Sequence, residues 1–277
     1  MAILGRINPL KVVKEVDFGL YLDGGSDGEI LLPKRYIPEG AQIGDTLSVF
    51  VYKDSEDRLV ATTETPLAQV GSYASLRVTS VTDQGAFLDW GLMKDLFVPH
   101  REQREPMEVG QFYPVFVYVD YESQRITASS RLDSFFEVEA PEVEEGQEVD
   151  IIVFKETDLG WKVVVDQRYS GMLYHSEIFL PIQIGQTCKA YVKRVRPDHK
   201  LDLILQKPGF EKVDAFSDQL HGMLKEADGF LPITDKTPAE TIYEQFSVSK
   251  KTFKKAVGDL YRKRLIVLEE TGIRLVK

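Results

Sequence analysis

Asp83-Gln84-Gly85-Ala86-Phe87-Leu88-Asp89-Trp90-Gly91 is the stretch whose reading decides the fold. A strand breaks at Gly85, resumes with Phe87 and Leu88 on alternate faces, and meets another glycine. The phrase occurs twice more, as Asp17-Phe18-Gly19-Leu20-Tyr21-Leu22-Asp23 and as Asp158-Leu159-Gly160-Trp161-Lys162-Val163-Val164. Each broken-strand glycine is followed 25 residues later by one that opens a new strand: Gly19 by Gly44, Gly85 by Gly110, Gly160 by Gly185. The new strands alternate in period two, through Leu47-Val49-Val51, Tyr113-Val115-Val117 and Cys188-Ala190-Val192. A polar turn then leads to a basic residue that starts a closing strand: Arg58, Arg125 or Lys200. Three copies of one unit, each of about five short strands, are therefore written in series. A small five-stranded antiparallel barrel closes such a set without free edges. The spacing predicts barrels over residues 1–65, 70–132 and 147–207.

The units resemble the S-one (S1) RNA-binding domain, an oligonucleotide-binding barrel. The middle copy carries the resemblance best, in Gly85-Ala-Phe-Leu88, Leu96-Phe-Val98, Val109-Gly-Gln-Phe-Tyr-Pro-Val115 and Asp120 through Arg125-Ile-Thr-Ala-Ser129. The resemblance implies an RNA-facing surface made of an aromatic before the glycine, a second three residues later, a histidine at the apolar step that follows and the closing basic residue. Carried over, the first copy supplies Phe18, Tyr21 and Arg58, with Leu32 in the histidine's place. The second supplies Phe87 and Arg125, with Gln84 and Val98 at the other two places. The third supplies Tyr174 and Lys200, with Leu159 and Lys162 at the aromatic places; Trp161 and His175 stand one residue off as substitutes. An exposed aromatic contributes roughly 1–3 kcal/mol per stacked base, and a neighbouring cation tracks the phosphates. Tyr21 and Phe87 are open to both readings, core or base platform; Phe18 and Trp161, beside glycines, favour exposure.

Charge is segregated along the chain. The net charge is −10, from 34 basic and 44 acidic residues, which opposes a whole-surface nucleic-acid binder. From Asp133 to Glu148 there are seven acidic residues and no basic one, whereas Lys250 to Arg264 holds seven basic residues against the single acid Asp259. The first run, with Pro141, reads as a solvated acidic linker over 133–146 that separates barrels two and three. Thr63 to Gly71 is shorter and brings the first two barrels close together.

Beyond Gln206-Lys-Pro208 the period changes to 3.6, predicting an α+β domain over 210–277. Phe216, Leu220, Met223, Leu224 and Ala227 share one face of a first helix that stops near Asp228-Gly229. Thr237-Pro238-Ala239-Glu240 is a capping box that starts a second. Ser247-Val-Ser249 predicts a tight turn whose last serine caps a third, with Phe253, Ala256, Val257, Leu260 and Tyr261 as its buried stripe. Ile266-Val-Leu268 and Ile273-Arg-Leu-Val276 read as a terminal hairpin. Three helices and a hairpin resemble a winged helix-turn-helix, in which the third helix contacts nucleic acid; winding it at 100° per residue puts Lys251, Lys254, Lys255 and Arg262 opposite the stripe. The wing's Glu269 and Glu270 oppose phosphate there.

The order of three barrels and a winged helix is similar to the bacterial conserved virulence factor B family, which implies a cytoplasmic RNA-binding regulator of gene expression. Nothing near the first residues reads as a signal peptide and no apolar run reaches a membrane span, so a cytoplasmic protein without membrane attachment is expected. One cysteine, Cys188, excludes an internal disulfide. Four histidines lie scattered without metal-ligand spacing, no phosphate-cradling glycine loop or nucleophile elbow occurs, and Asp23-Gly-Gly-Ser-Asp27 reads as a turn. Catalysis, metals and cofactors are therefore not expected. The sequence reads as a monomeric, multivalent binder of single-stranded RNA acting in post-transcriptional regulation. Its rivals are a protein-interaction scaffold, for instance on the ribosome or transcription machinery, and a DNA-binding transcription regulator that uses the winged helix.

Overall fold

The computed structural model describes residues 1–178, 181–205, 211–246 and 248–276, with side chains in the first helix described from Phe216 onward. The chain divides into two compact units: Met1–His175 with Ile182–Leu203, and Ser176–Pro181 with Ile204–Lys277. The first unit holds three closed barrels. Barrel 1 consists of β1 (Ile7–Val16), β2 (Gly19–Asp23), β3 (Glu29–Pro33), β4 (Thr46–Lys53) and β5 (Leu59–Thr62). Its order around the wall is β1-β2-β3-β5-β4, and β4 closes back on β1. The pairing of β3 with β5 is parallel, so the barrel expected to be antiparallel throughout contains one parallel seam. The same order recurs in barrel 2, from β6 (Tyr73–Thr82), β7 (Gly85–Asp89), β8 (Leu96–Pro99), β9 (Phe112–Val119) and β10 (Ile126–Ser129). It recurs again in barrel 3, from β11 (Glu148–Thr157), β12 (Gly160–Val165), β13 (Tyr169–Tyr174), β14 (Thr187–Val195) and β15 (Leu201–Ile204).

The repeated glycines have a physical reason. A Cβ on Gly19, Gly85 or Gly160 would lie 2.3, 2.2 or 2.0 Å from the carbonyl oxygen of Leu32, Val98 or Leu173 on the facing strand. Only hydrogen fits at that distance. The second glycines, Gly44, Gly110 and Gly185, take φ values of 101°, 87° and 84°. Their N–H groups donate to the carbonyls of Val12, Val78 and Val153 at 2.9, 2.8 and 2.8 Å, at the bulge in each unit's first strand. The constant 25-residue spacing therefore measures one hairpin and crossover, anchored at both ends on the same bulged strand.

Inward residues fill each barrel. In the first, Leu10, Val12, Leu20, Leu22, Ile30, Leu32, Val49, Val51 and Ala61 form one buried cluster, each large side chain worth about 1.5–3 kcal/mol when removed from water. The alternate residues of β4 are buried too. Phe50 and Tyr52 join the cluster of barrel 2, where the Phe50 ring meets Trp90 edge-on at 5.5 Å between centroids. Burial, reinforced by Tyr36, pushes the Tyr52 hydroxyl pKa up to about 12. Barrels 1 and 2 thus share a core.

Barrels 2 and 3 meet through an aromatic layer. Leu132, Phe135 and Phe136 pack with Tyr73, Phe116, Ile152, Phe154 and Val164, with ring centroids 4.4 Å apart for Phe116–Phe135 and 5.4 Å for Tyr73–Phe136. The acidic segment expected as a solvated, separating spacer is therefore packed where it begins. Its carboxylates are also engaged, Asp133 with Lys162 at 2.8 Å and Glu137 and Glu142 with Arg168 at 2.9 and 3.4 Å. The aromatic side chains anchor the start of the segment, while its seven acidic residues stay exposed to solvent, as the charge run suggested.

The second unit contains α1 (Glu211–Glu226), β16 (Phe230–Leu231), α2 (Ala239–Phe246), α3 (Lys250–Arg262), β17 (Ile266–Glu269) and β18 (Gly272–Leu275). Phe216, Leu220, Leu224, Ile242, Phe246, Phe253, Ala256, Val257 and Leu260 form its core. Ser249 caps α3 by accepting the Thr252 N–H at 3.1 Å; Ser247, the other end of the expected turn, lies outside the described residues, as do Gln206 to Pro208. Tyr261, expected in the buried stripe, is 53% exposed, because the stripe ends at Leu260, two residues before the helix does. The sheet of this unit has a third short strand, β16, beside the expected hairpin.

If the glycine contact sets the hairpin, Gly85→Ala lowers stability by about 1–3 kcal/mol through forced displacement of β8. Chemical denaturation followed by Trp fluorescence measures this, with Gly28→Ala, where no neighbour lies within 4 Å, as the comparison for backbone strain alone.

Candidate nucleic-acid interface

The glycine hairpins place a short row of side chains on the outer face of each barrel. Two residues after the glycine stand Tyr21, Phe87 and Lys162, paired across the hairpin with Leu31, Phe97 and Met172. Their neighbours Leu20 and Ala86 point inward and are buried. Tyr21 and Phe87 are thus outward-facing and half-buried, which resolves the two readings that the alternation left open.

Barrel 2 has the most developed face. Phe87 and Phe97 lie 5.1 Å apart between centroids, tilted by 41°, and form the floor of a cavity of about 640 Å³. Its walls are Gln84 and Pro99 on one side and Lys94, Arg101 and Arg125 on the others, with Tyr52 and Lys53 of barrel 1 at the rim. The Lys94 ammonium donates to the backbone carbonyls of Lys53 and Asp54 at 3.1 and 2.9 Å, and partial burial lowers its pKa. Arg101 donates to Asp120 at 2.9 Å. Asp120 shapes the β9–β10 turn: its carboxylate accepts the backbone N–H and the hydroxyl of Ser123, both at 2.8 Å. Those bonds, the backbone one first, hold its carboxyl below the ordinary value, with Arg101 assisting. Arg125 is gripped by Asp57 of barrel 1 through two bonds of 2.8 and 2.6 Å.

Barrel 1 brings Phe18 and Tyr21 together at 6.4 Å, edge to face, with Phe18 58% exposed. The Lys14 ammonium stands 5.4 Å from the Tyr21 ring centre, within cation–π range. Arg58 is paired with Asp54 and Glu56 at 2.7 and 3.0 Å. In barrel 3, Trp161 takes the register place of buried Leu20 and Ala86, yet is half-buried and lies edge-on to His175 at 6.4 Å. The Tyr174 hydroxyl bonds Asp202 at 3.1 Å; burial and then that carboxylate raise its pKa. Lys200 pairs with Asp198 at 3.4 Å. In the second unit Lys251, Lys254, Lys255 and Arg262 are all exposed on α3; Lys254 contacts Asp235 at 3.6 Å and Arg262 contacts Asp259 at 3.8 Å. The wing's Glu269 is paired with Arg274, which removes half of the repulsion expected there.

The register corrects the placing of the histidine. Pro33, Pro99 and Tyr174 pair with the three broken-strand glycines, so the next residues, Lys34, His100 and His175, are equivalent. Their N–H groups donate to the carbonyls of Phe18, Gln84 and Leu159. His100 and His175 also share a ring contact, through Nε2 to the Thr82 and Thr157 carbonyls at 3.2 and 2.9 Å. The histidine place in barrel 2 is therefore held by His100 and not Val98, in barrel 1 by Lys34 and not Leu32, and His175 stands in register rather than one residue off. Sequence reasoning also missed Phe97, although Leu96-Phe97-Val98 alternates buried, half-buried, buried. Lys94 and Arg101 left no local signal; the barrel 1 backbone and Asp120 position them.

Among the described residues no group of three or more His, Cys, Asp or Glu side chains is placed to hold a metal, and no helix is long and apolar enough to cross a membrane.

Because its hydrogen bonds exist only with the carboxylate, Asp120 stabilises the turn fully above its unfolded value of 3.8, and the contribution is lost as pH falls through the lower folded value. An NMR titration is expected to place the Asp120 midpoint below 3.8, and Ser123→Ala to move it upward.

Comparison with known proteins agrees with the order of domains. The S1 domain model matches residues 4–64 and 70–129, and a CvfB-like winged helix domain model matches residues 218–275. Conserved virulence factor B of Staphylococcus epidermidis is 25% identical over 285 residues, covering 99% of this chain and 95% of that protein. The uncharacterized protein YitL of Bacillus subtilis is 26% identical over 266 residues, covering 93% and 89%. A crystal structure of a multidomain protein with nucleic acid binding domains from Streptococcus pneumoniae is 25% identical, covers 99% of this chain and 98% of its own, and superposes with a TM-score of 0.44. The chain thus joins S1 domains to a CvfB-like winged helix domain and is similar over its full length to the conserved virulence factor B proteins.

Proposed function

We propose that the protein binds single-stranded RNA, chiefly on the face of barrel 2, and acts in post-transcriptional regulation rather than as an enzyme. The observation that carries this reading is the paired Phe87–Phe97 floor beneath three basic side chains in a cavity of about 640 Å³. Splayed bases stack on such rings whatever their sequence, and the cations at the wall meet the phosphates. A duplex cannot enter a cleft of this kind with its bases stacked, so a single strand is the ligand that fits. The Phe18–Tyr21 pair with Lys14 and Arg58 on barrel 1, and Trp161, Tyr174 and His175 with Lys200 on barrel 3, supply further partial platforms. The shared cores hold neighbouring barrels together, so these platforms act as one multivalent surface. The cationic side of α3 is a separate contact on the second unit.

Anisotropy titration with labelled single-stranded RNA, against duplex RNA and duplex DNA, tests the reading at several salt concentrations. Single-stranded RNA is expected to bind most tightly, with an affinity that falls as salt rises. Binding that ignores salt, or that favours duplex, overturns it. Phe87→Ala and Phe97→Ala are each expected to weaken binding by roughly fivefold to a hundredfold while the barrel stays folded. Changing Lys251, Lys254 and Lys255 together to Glu is expected to weaken binding of long RNA and flatten its salt dependence; unchanged affinity in the folded variant confines RNA to the barrels.

A further inference from the structure

The residue that closes barrel 2 is held from outside that barrel. Arg125 donates from Nε and Nη2 to the two carboxylate oxygens of Asp57, at 2.8 and 2.6 Å, across 68 residues of chain. Asp57 stands at the tip of the β4–β5 turn of barrel 1 in the left-handed conformation, φ 62°. Gln124 and His199 take the same conformation at the matching tips, each directly before its barrel's closing cation. The barrel 1 turn is braced from within. Asp54 accepts the N–H groups of Glu56 and Arg58 at 2.9 and 3.0 Å, bonds the Arg58 guanidinium at 2.9 Å, and donates its own N–H to the Arg58 carbonyl at 3.0 Å. Asp57 is therefore a fixed carboxylate presented to Arg125, which lines the aromatic cavity. Carboxylate and phosphate offer a guanidinium the same two-oxygen edge. In barrel 3 a different cation is held from outside: Lys162, in the register place of Phe87, donates at 2.8 Å to Asp133 of the segment that precedes the barrel, while the closing Lys200 pairs with Asp198 of its own turn.

We propose that Asp57 is an affinity-setting positioning residue of the barrel 2 face, a built-in stand-in for phosphate that holds the Arg125 guanidinium in place and is exchanged for a backbone phosphate when a strand binds. The inference rests on the RNA reading above. Its physical signature lies in the counterions. A phosphate that pairs with a free arginine meets an added positive charge and releases its condensed cation, whereas a phosphate that displaces Asp57 meets an arginine–carboxylate site of zero net charge. The Arg125 contact then adds nothing to the salt dependence. Both partners are about half exposed, 54% and 47%, so the pair is weak enough in water to open.

The test uses the full chain and a labelled uridine dodecamer, titrated from about 50 to about 300 mM salt. Asp57→Asn keeps the shape of the turn, since asparagine accepts the left-handed conformation readily. It is expected to bind about twofold to fivefold more tightly at low salt, with a log–log salt slope more negative by about 0.7, the value of one added phosphate contact on a single strand. Made in an Arg125→Gln chain, the same substitution is expected to change neither affinity nor slope, since the guanidinium that it frees is gone. Equal affinity and slope for Asp57→Asn and the wild type overturn the proposal and leave the RNA reading standing. So does tighter binding with an unchanged slope, which assigns the effect to a change other than charge, or an equal gain when Asp57→Asn is made in an Arg125→Gln chain, which assigns it to general charge. Weaker binding by Asp57→Asn overturns it as well. Binding by neither protein overturns both readings, and binding by Asp57→Asn alone supports both.

Discussion

Three glycine Cα positions lie against a neighbouring carbonyl so closely that no side chain fits, and the architecture of the barrels follows from that approach. The contact draws the second and third strands of each barrel into a tight hairpin. Alternation then dictates that the residue two places on faces outward while its neighbours fill the core. Tyr21, Phe87 and Lys162 occupy that outward place, and the strand opposite supplies Leu31, Phe97 and Met172. The same constraint thus closes the barrel and raises a row of side chains on its outer face. What distinguishes the three copies is which side chains stand in the row, and only barrel 2 pairs two aromatic rings there.

Electrostatics explains how a chain of net charge −10 can present such a face. Its cations are not loose: Arg58, Arg101, Arg125, Lys162 and Lys200 all have carboxylate partners within 3.4 Å. Exposed pairs of this kind are worth little to stability, typically less than about 1 kcal/mol each. Their effect is to hold long side chains in defined positions and to suppress indiscriminate attraction of polyanions. On the proposed RNA reading, attraction for a strand then comes from stacking and shape, with charge as the adjustable part.

Much of this was legible in the sequence because the decisive signals are local. Gly19, Gly85 and Gly160, their partners 25 residues on, and the shift to helical period before Phe216 each lie within one element or its neighbour. The histidine place was misread because motif counting ignores hairpin length, which the register supplies through Pro33, Pro99 and Tyr174. The shared core of barrels 1 and 2 had a trace: Val49-Phe50-Val51-Tyr52 is apolar on both faces, the pattern of a strand covered on both sides. Asp57 and Arg125 could not be paired from sequence, since 68 residues separate them and neither stands in a hydrophobic pattern.

That doubly apolar strand also governs how the chain is made. When synthesis has produced barrel 1, β4 already exposes Phe50 and Tyr52 on its outer side, and their cover, Trp90 and its neighbours, has yet to emerge. The first barrel leaves the ribosome with an adhesive flank that only its successor can mask. N-terminal domains of most chains fold as finished units during synthesis; here the finished unit is the pair, and a stall between residues 65 and 90 would strand an aromatic surface in the open.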